Sequence, residues 1–169
     1  IVGDAAWLPR PIDAGGIGPG IFASVIAGKT IANALQAKDY SQSSLWNYNT
    51  EYVRNYGYQM ASFEILRRFL QIVLNEKISY GMKHFLSADD VEKITSREHP
   101  SFDKVNMFNP LMLFKILTHW SLAKELRYTA KKSNELVRHS QAYPESPEGF
   151  PEWKNKLDLL LNDAYNRFS

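Results

Sequence analysis

The chain has 169 residues, 44% of them hydrophobic and 22% charged, with no cysteine and a net charge of +2 from twenty basic and eighteen acidic side chains. That length suits one domain with a substantial core, and the balanced charge, its small surplus confined to residues 101–169, disfavours a dedicated nucleic-acid binder. The missing cysteine removes disulfides, thiolate catalysis and iron–sulfur or zinc–cysteine ligation, and no apolar run approaches the roughly 20 residues that span a bilayer.

Ile1 and Val2 read as the last residues of a buried strand whose partners would lie upstream, so the chain is expected to be a piece of a longer protein. Residues 3–20 then concentrate Gly3, Pro9, Pro11, Gly15, Gly16, Gly18, Pro19 and Gly20, a density of breakers that marks a functional loop. From Ile21 to Leu35 the apolar and small residues run nearly all round a helix, which predicts burial, with a sheet as the expected neighbour. Ser43 and Ser44 are candidate N-caps for a long aromatic helix over residues 44–75, with Gly57 as its expected kink. Residues 87–90 resemble a capping box for a short helix ended by His99-Pro100, and Asn109-Pro110 opens a helix reaching about His139. Pro144, Pro147, Gly149 and Pro151 mark a loop before a last amphipathic helix, Glu152 to Phe168. The expected fold is mainly α: a strand-turn-helix segment over 1–37, the remnant of an incomplete Rossmann-like α/β domain, followed by a helical domain over 38–169.

The first segment carries the chemistry. A strand would deliver Asp4 to its carboxyl end, where a carboxylate accepts hydrogen bonds from ligand hydroxyls. Glycines would let backbone approach the ligand, and the free amides of a helix start favour an electron-rich or anionic group. Taken alone, Gly3-Asp4 more often means a plain strand-to-helix turn with an aspartate cap.

Over its full length the run Ile1-Val2-Gly3-Asp4-Ala5-Ala6, Pro11, Gly15-Gly16-Ile17, Ala23, Ala27-Gly28 and Ala32 resembles the second flavin-binding segment of the p-hydroxybenzoate-hydroxylase-like flavoproteins. Downstream, the helix from Leu45 to Gly57 with Trp46, Tyr48 and Tyr52, the run Ile78-Ser79-Tyr80-Gly81-Met82-Lys83, and the ending from Tyr143-Pro144 to Glu152-Trp153-Lys154 are similar to the archaeal geranylgeranyl reductases within that superfamily, the digeranylgeranylglycerophospholipid reductases. The resemblance implies an FAD-dependent oxidoreductase that saturates isoprenoid double bonds of archaeal membrane lipids, of which this chain is the C-terminal portion. It assigns Asp4 to the ribityl region of FAD, and Pro11, Gly15, Gly16 and Ile17 to the turn whose amides lie beside the pyrimidine edge of the isoalloxazine. Ala14 stands where the family's first glycine is usual.

The same resemblance implies as partners the N-terminal remainder of the polypeptide, a geranylgeranyl lipid substrate and an electron donor to the flavin. Independently of the resemblance, the missing signal peptide leads to an expected cytoplasmic location, with the basic residues between 124 and 138 as the candidate peripheral membrane contact, and the balanced charge gives no nucleic-acid role. The dinucleotide fingerprint Gly-x-Gly-x-x-Gly and the strand-rich substrate domain are missing from this chain, so the chain alone is expected to be inactive. No catalytic residue is assigned, and a metal site is not expected, because His84, His99, His119 and His139 are dispersed. An aromatic hydroxylase sharing the Gly-Asp segment and a non-enzymatic helical interaction module are the alternatives, and the helical tail after Leu35 favours the reductase. The aromatic stripe of Trp46, Tyr48, Tyr52 and Tyr56 reads first as core and second as an isoprenoid channel. Arg54, Arg67 and Arg68 read first as a salt-bridged helix face, while Lys124, Arg127, Lys131, Lys132 and Arg138 read first as plain surface and second as an anionic-membrane contact.

Overall fold

A computed structural model describes residues 1–84 and 120–168 of the chain. Among them the regular elements are all helical: α1 (Ile17–Ala37), α2 (Gln42–Leu45), α3 (Asn47–Asn55), α4 (Met60–Ile72), α5 (Asn75–His84), α6 (Trp120–Gln141) and α7 (Phe150–Arg167), with 3-10 helices at Gly3–Ala6, Gly57–Gln59 and Pro147–Gly149. The fold is mainly α. The expected capping box at 87–90, the stop at His99-Pro100, the helix start at Asn109-Pro110, and His99 and His119 lie outside the described residues.

The core forms where α4, α6 and α7 meet. Ile65, Phe69, Leu122, Leu136, Ala164 and Phe168 are buried there, with Leu66, Leu126, Leu157, Leu160 and Leu161 packed around them. Ile65 and Phe69 are four apart, Leu122 and Leu136 fourteen, and both spacings return a side chain to the same helical face. Around this core the helices are laced by ion pairs. Glu64 binds Arg67 and Arg68 on its own helix and accepts from the Tyr165 hydroxyl of α7 at 3.3 Å. Burial alone would push the Glu64 carboxyl up, but the bonds from Arg67 and Arg68 outweigh it and hold the group below the usual carboxylate range.

The loop after α6 is pinned to α3. The Trp46 indole and the Thr50 hydroxyl both donate to the Pro144 carbonyl at 3.0 Å, and Arg54 donates to the Tyr143 carbonyl and pairs with Glu145. Beneath it Trp46, Tyr143, Phe150 and Trp153 pack ring to ring with centroids 4.7–6.1 Å apart. His139 stacks on Trp153 at 5.0 Å, and the two exchange side-chain-to-carbonyl bonds of 2.9 Å. The aromatic stripe of α3 is core in this sense: Trp46 and Tyr52 are buried, and Tyr52 and Tyr56 pack against Phe22 of α1.

Several sequence expectations are corrected. The long helix over 44–75 is broken after Asn55, where Tyr56 leaves helical torsions and Gly57 opens a 3-10 turn; a Cβ at Gly57 would sit 3.2 Å from the Tyr52 ring. Its N-terminal cap is Ser41, whose hydroxyl accepts from the Ser44 amide at 3.2 Å, rather than Ser43 or Ser44. Ile1 is 92% exposed, Val2 is extended, and no strand forms among the described residues. An extended segment becomes a strand only with a ladder partner, and these residues supply none. The helix expected to be buried on all sides is covered on one. Pro19, Ala23, Thr30 and Ala34 pack toward α3, while Ile17, Ile21, Val25, Ile31 and Leu35 lie open on the other side.

Candidate functional site

The N-terminal loop is shaped by its unusual torsions. Gly3 has φ +65°, a conformation that costs glycine little, and starts the 3-10 helix Gly3–Ala6 that carries Asp4. Trp7 closes it at φ +55°, its amide donating to the Asp4 carbonyl at 3.0 Å while the Leu8 amide reaches the Gly3 carbonyl at 3.3 Å. A second turn follows. The Ala14 amide donates to the Arg10 carbonyl at 2.9 Å, the Arg10 amide to the Gly15 carbonyl at 3.2 Å, and the Gly15 amide to Asp13 Oδ1 at 3.0 Å, with an Arg10–Asp13 ion pair across it. Pro11 lies inside this turn, where its fixed φ pre-sets the bend. Ala14 adopts φ +56°, the left-handed conformation glycine takes freely, at the position where a glycine is usual in the related motif.

Both turns converge on the start of α1. Gly16 is its N-cap residue and has no side chain to cap the first turn, and Pro19 has no N–H, so the opening turn presents an uncapped amide end. The Asp4 carboxylate stands against that end: a Cβ added to Gly16 would lie 2.6 Å from Asp4 Oδ1 and 3.4 Å from Pro9. Gly20, one turn on, faces the Gly3 backbone, where a Cβ would sit at 3.6 Å. A side chain at position 16 would have to displace the Asp4 carboxylate, which occupies the space beside the glycine.

Beside this contact opens a cleft of about 680 Å³ lined by Asp4, Gly16, Ile17, Gly20, Ile21, Ser24 and Val25. Of the residues the sequence singles out, Asp4, Gly16 and Ile17 meet at the cleft, whereas Pro11 and Gly15 build the adjoining turn. Gly20, Ile21, Ser24 and Val25 were missed. Their signal was there to read, since 16, 20 and 24 and likewise 17, 21 and 25 repeat at the four-residue spacing that stacks side chains on one helical face. The Ser24 hydroxyl spends its proton on the Gly20 carbonyl at 2.8 Å, so the polar functions facing the cleft are the Asp4 carboxylate, backbone, and the Ser24 oxygen as an acceptor only. The remaining wall is branched aliphatic, with Ile17 82% exposed and Ile21 62% exposed. Chemically, such a place can accept hydrogen bonds from hydroxyls at Asp4, offer amides to a group of negative charge, and cover an apolar surface along α1.

Away from the cleft, Tyr52 is held well above the usual tyrosine range, chiefly by burial and further by the neighbouring Tyr56 and Tyr48. Its hydroxyl, that of Tyr48 and that of Thr30 are buried without a hydrogen-bond partner among the described residues. Among the described residues no group of three histidines or carboxylates is placed to hold a metal ion, and no helix is long and apolar enough to cross a membrane.

No protein-family model matches the chain. Curated relatives do. The chain is 32% identical, over 96% of its length, to the digeranylgeranylglycerophospholipid reductase of Sulfolobus acidocaldarius, and 30% identical, over 69% of its length, to the protein of the same name from Methanothrix thermoacetophila. It is also 30% identical over 69% of its length to digeranylgeranylglycerophospholipid reductase 3 of Methanosphaera stadtmanae. The matches span 36%, 29% and 28% of those relatives, so the chain covers about a third of their length.

Proposed function

The chain belongs to the family of the digeranylgeranylglycerophospholipid reductases, and from that premise we propose that it is the C-terminal part of an FAD-dependent enzyme that saturates the isoprenoid double bonds of a geranylgeranyl phospholipid. Residues 1–37 complete the flavin-binding domain, and 38–169 form a helical domain that buttresses it. When bound and reduced by an electron donor, the flavin would supply hydride to one alkene carbon, and an acid not assigned among these residues would give a proton to the other, so that the double bond is saturated. The observation that carries this reading is the juxtaposition of the Asp4 carboxylate, the Gly16 backbone and the uncapped start of α1 at the mouth of an open cleft.

Each residue has a part that follows from its chemistry. Asp4 accepts hydrogen bonds from cofactor hydroxyls. The opening amides of α1, beginning at Ile17, stabilise negative charge that accumulates on the cofactor when it is reduced. Pro11 and Gly15 fix the turn that aims those amides. The uncovered stripe of Ile17, Ile21, Val25, Ile31 and Leu35 supports the remainder of the reading, because a soluble chain seldom leaves so continuous an apolar face to water, and the N-terminal remainder of the polypeptide is the neighbour we assign to it.

Flavin content of the full-length protein tests this. Asp4→Ala removes charge-assisted bonds worth roughly 1.5–3 kcal/mol, and should lower flavin occupancy while leaving the melting temperature close to wild type. Gly16→Ala forces the same carboxylate aside, so it should lower occupancy too, and the double variant should be no worse than the more impaired single one. Wild-type occupancy in Asp4→Ala, with a large loss of thermal stability, would make Asp4 a structural cap and remove the cradle.

A further inference from the structure

On α6 the charges are sorted by direction. At 3.6 residues per turn Trp120, Lys124, Arg127, Lys131 and Arg138 fall within about 60° of arc, forming one stripe about 27 Å long. All five are exposed, Trp120 by 62%. The acids of the same helix are used elsewhere. Glu125 is held by Arg167 of α7 at 2.7 Å, and Glu135 by Lys132 at 2.8 Å. Lys132, the fifth cation of the helix, is buried and turned to Asp163 of α7 at 2.7 Å. Among the described residues no carboxylate pairs with Lys124, Arg127 or Arg138, and Lys131 has only a 3.9 Å approach to Glu135. A surface helix stabilised by its own ion pairs would interleave the signs along the outer face; here the negative groups are consumed at the α6–α7 seam and the outer face carries four cations.

We propose that this outer face of α6 docks the protein on an anionic phospholipid surface, with the four cations over the headgroups and Trp120 as the interfacial anchor at one end. The proposal rests on the lipid half of the reductase reading, and it names the face that would meet the bilayer. Charge complementarity favours that occupant. Four Lys/Arg in one plane is the sequence-readable signature of anionic-lipid recognition, and an exposed indole at the end of a basic stripe prefers the boundary between headgroup and acyl chain. The outer stripe has no aliphatic residue, so the helix lies on the surface rather than in it. A near-neutral chain is a poor general polyanion binder, which makes nucleic acid the lesser fit.

Co-sedimentation with vesicles of phosphatidylcholine, alone or mixed with phosphatidylglycerol, tests the docking with no flavin or turnover involved, so its failure leaves the reductase reading untouched. The full-length protein should bind the mixed vesicles, leave them as salt is raised, and ignore phosphatidylcholine alone. Replacing Lys124, Arg127, Lys131 and Arg138 together by glutamine should lower partitioning by tenfold to several hundredfold, since each cation contributes roughly fivefold. The single variants Lys124→Gln and Arg138→Gln should each lose a few-fold, and they keep the test sharp if the fourfold variant melts early. Equal partitioning of wild type and the fourfold variant overturns the proposal. So does salt-resistant binding to neutral vesicles, which would point to the apolar face of α1, and so does stripe-dependent binding of a DNA duplex by a protein that ignores vesicles.

Discussion

In the bundle of α4, α6 and α7, apolar faces meet one another and charged groups find partners across the seams; Ile65 and Leu136 have no exposed surface at all. In α1 the same kinds of residue stand half open, and what closes well there is the backbone: Gly3, Gly16 and Gly20 let the 3-10 helix lie against the first turns, and Ala23 and Ala34 let α3 approach. Among the described residues the inner faces of the bundle are therefore closed, although Leu70, Ile72 and Leu159 stand open on its outside, whereas α1 is finished on one side only. Small residues appear where this chain must touch itself, and large branched ones where something else must touch it.

The contrast can be broken most directly in the bundle. Leu136→Ala should cost about 2–5 kcal/mol in chemical denaturation, because a fully buried leucine leaves a cavity its neighbours fill only in part. A cost below about 1 kcal/mol would mean the bundle is as loosely finished as α1.

Alkali attacks the aromatic seam next. Burial pushes the Tyr143 hydroxyl up to about 12, and Tyr52 is raised for the same reason with help from Tyr56 and Tyr48. A group whose folded pKa exceeds its unfolded value near 10 holds its proton more tightly when folded, so its contribution is whole below about pH 10 and drains away as pH rises toward the folded value. Melting temperature should accordingly fall between pH 10 and about 12, and Tyr143→Phe should blunt that fall. An unchanged slope in Tyr143→Phe would move the alkaline weakness elsewhere.

Within the N-terminal region the largest stabilisation on offer is at Ala14. Relief of its left-handed torsion by Ala14→Gly should add about 0.5–1 kcal/mol, partly offset by the freer unfolded chain. A loss of stability would mean the methyl group makes contacts worth more than the strain. The smallest effect sharpens the comparison most: Ile21→Gln, on the open face of α1, should change the stability of the 169-residue chain by less than about 0.5 kcal/mol, against several for Leu136→Ala. A loss of more than about 1 kcal/mol would show that the open face is covered within this chain after all.

Much of this was legible beforehand. The helical class, an irregularity at Gly57 though not the full break, the loop between Tyr143 and Pro151 and the amphipathic last helix follow from local rules, since periodicity, glycine and proline act through the backbone of their own neighbourhood. The approach of Asp4 to α1 was foreshadowed by the breakers at 3–20, and Ala14 marked itself as the odd residue of its motif. Ile21, Ser24 and Val25 belong to no motif, and Gly20 reads only as a loop breaker, so their place at the cleft shows in the sequence only as the four-residue repeat that runs on from Gly16 and Ile17.

By itself, then, the sequence determined that these segments coil and that residues 3–20 need special torsions, because each is decided by interactions a few residues long, while the cap at Ser41 and the stop at Asn55 departed from expectation. Tertiary structure alone decided that Ile1 and Val2 find no ladder partner among the described residues, that α1 is covered by α3 and left bare opposite, and that Glu125 of α6 is spent on Arg167 of α7 while Lys124, Arg127, Lys131 and Arg138 face outward. Those outcomes depend on which surfaces meet. An apolar stripe records only that it needs a neighbour, and a lysine only that it needs water or a counter-charge; which neighbour arrives is fixed by packing between residues as far apart as Glu125 and Arg167.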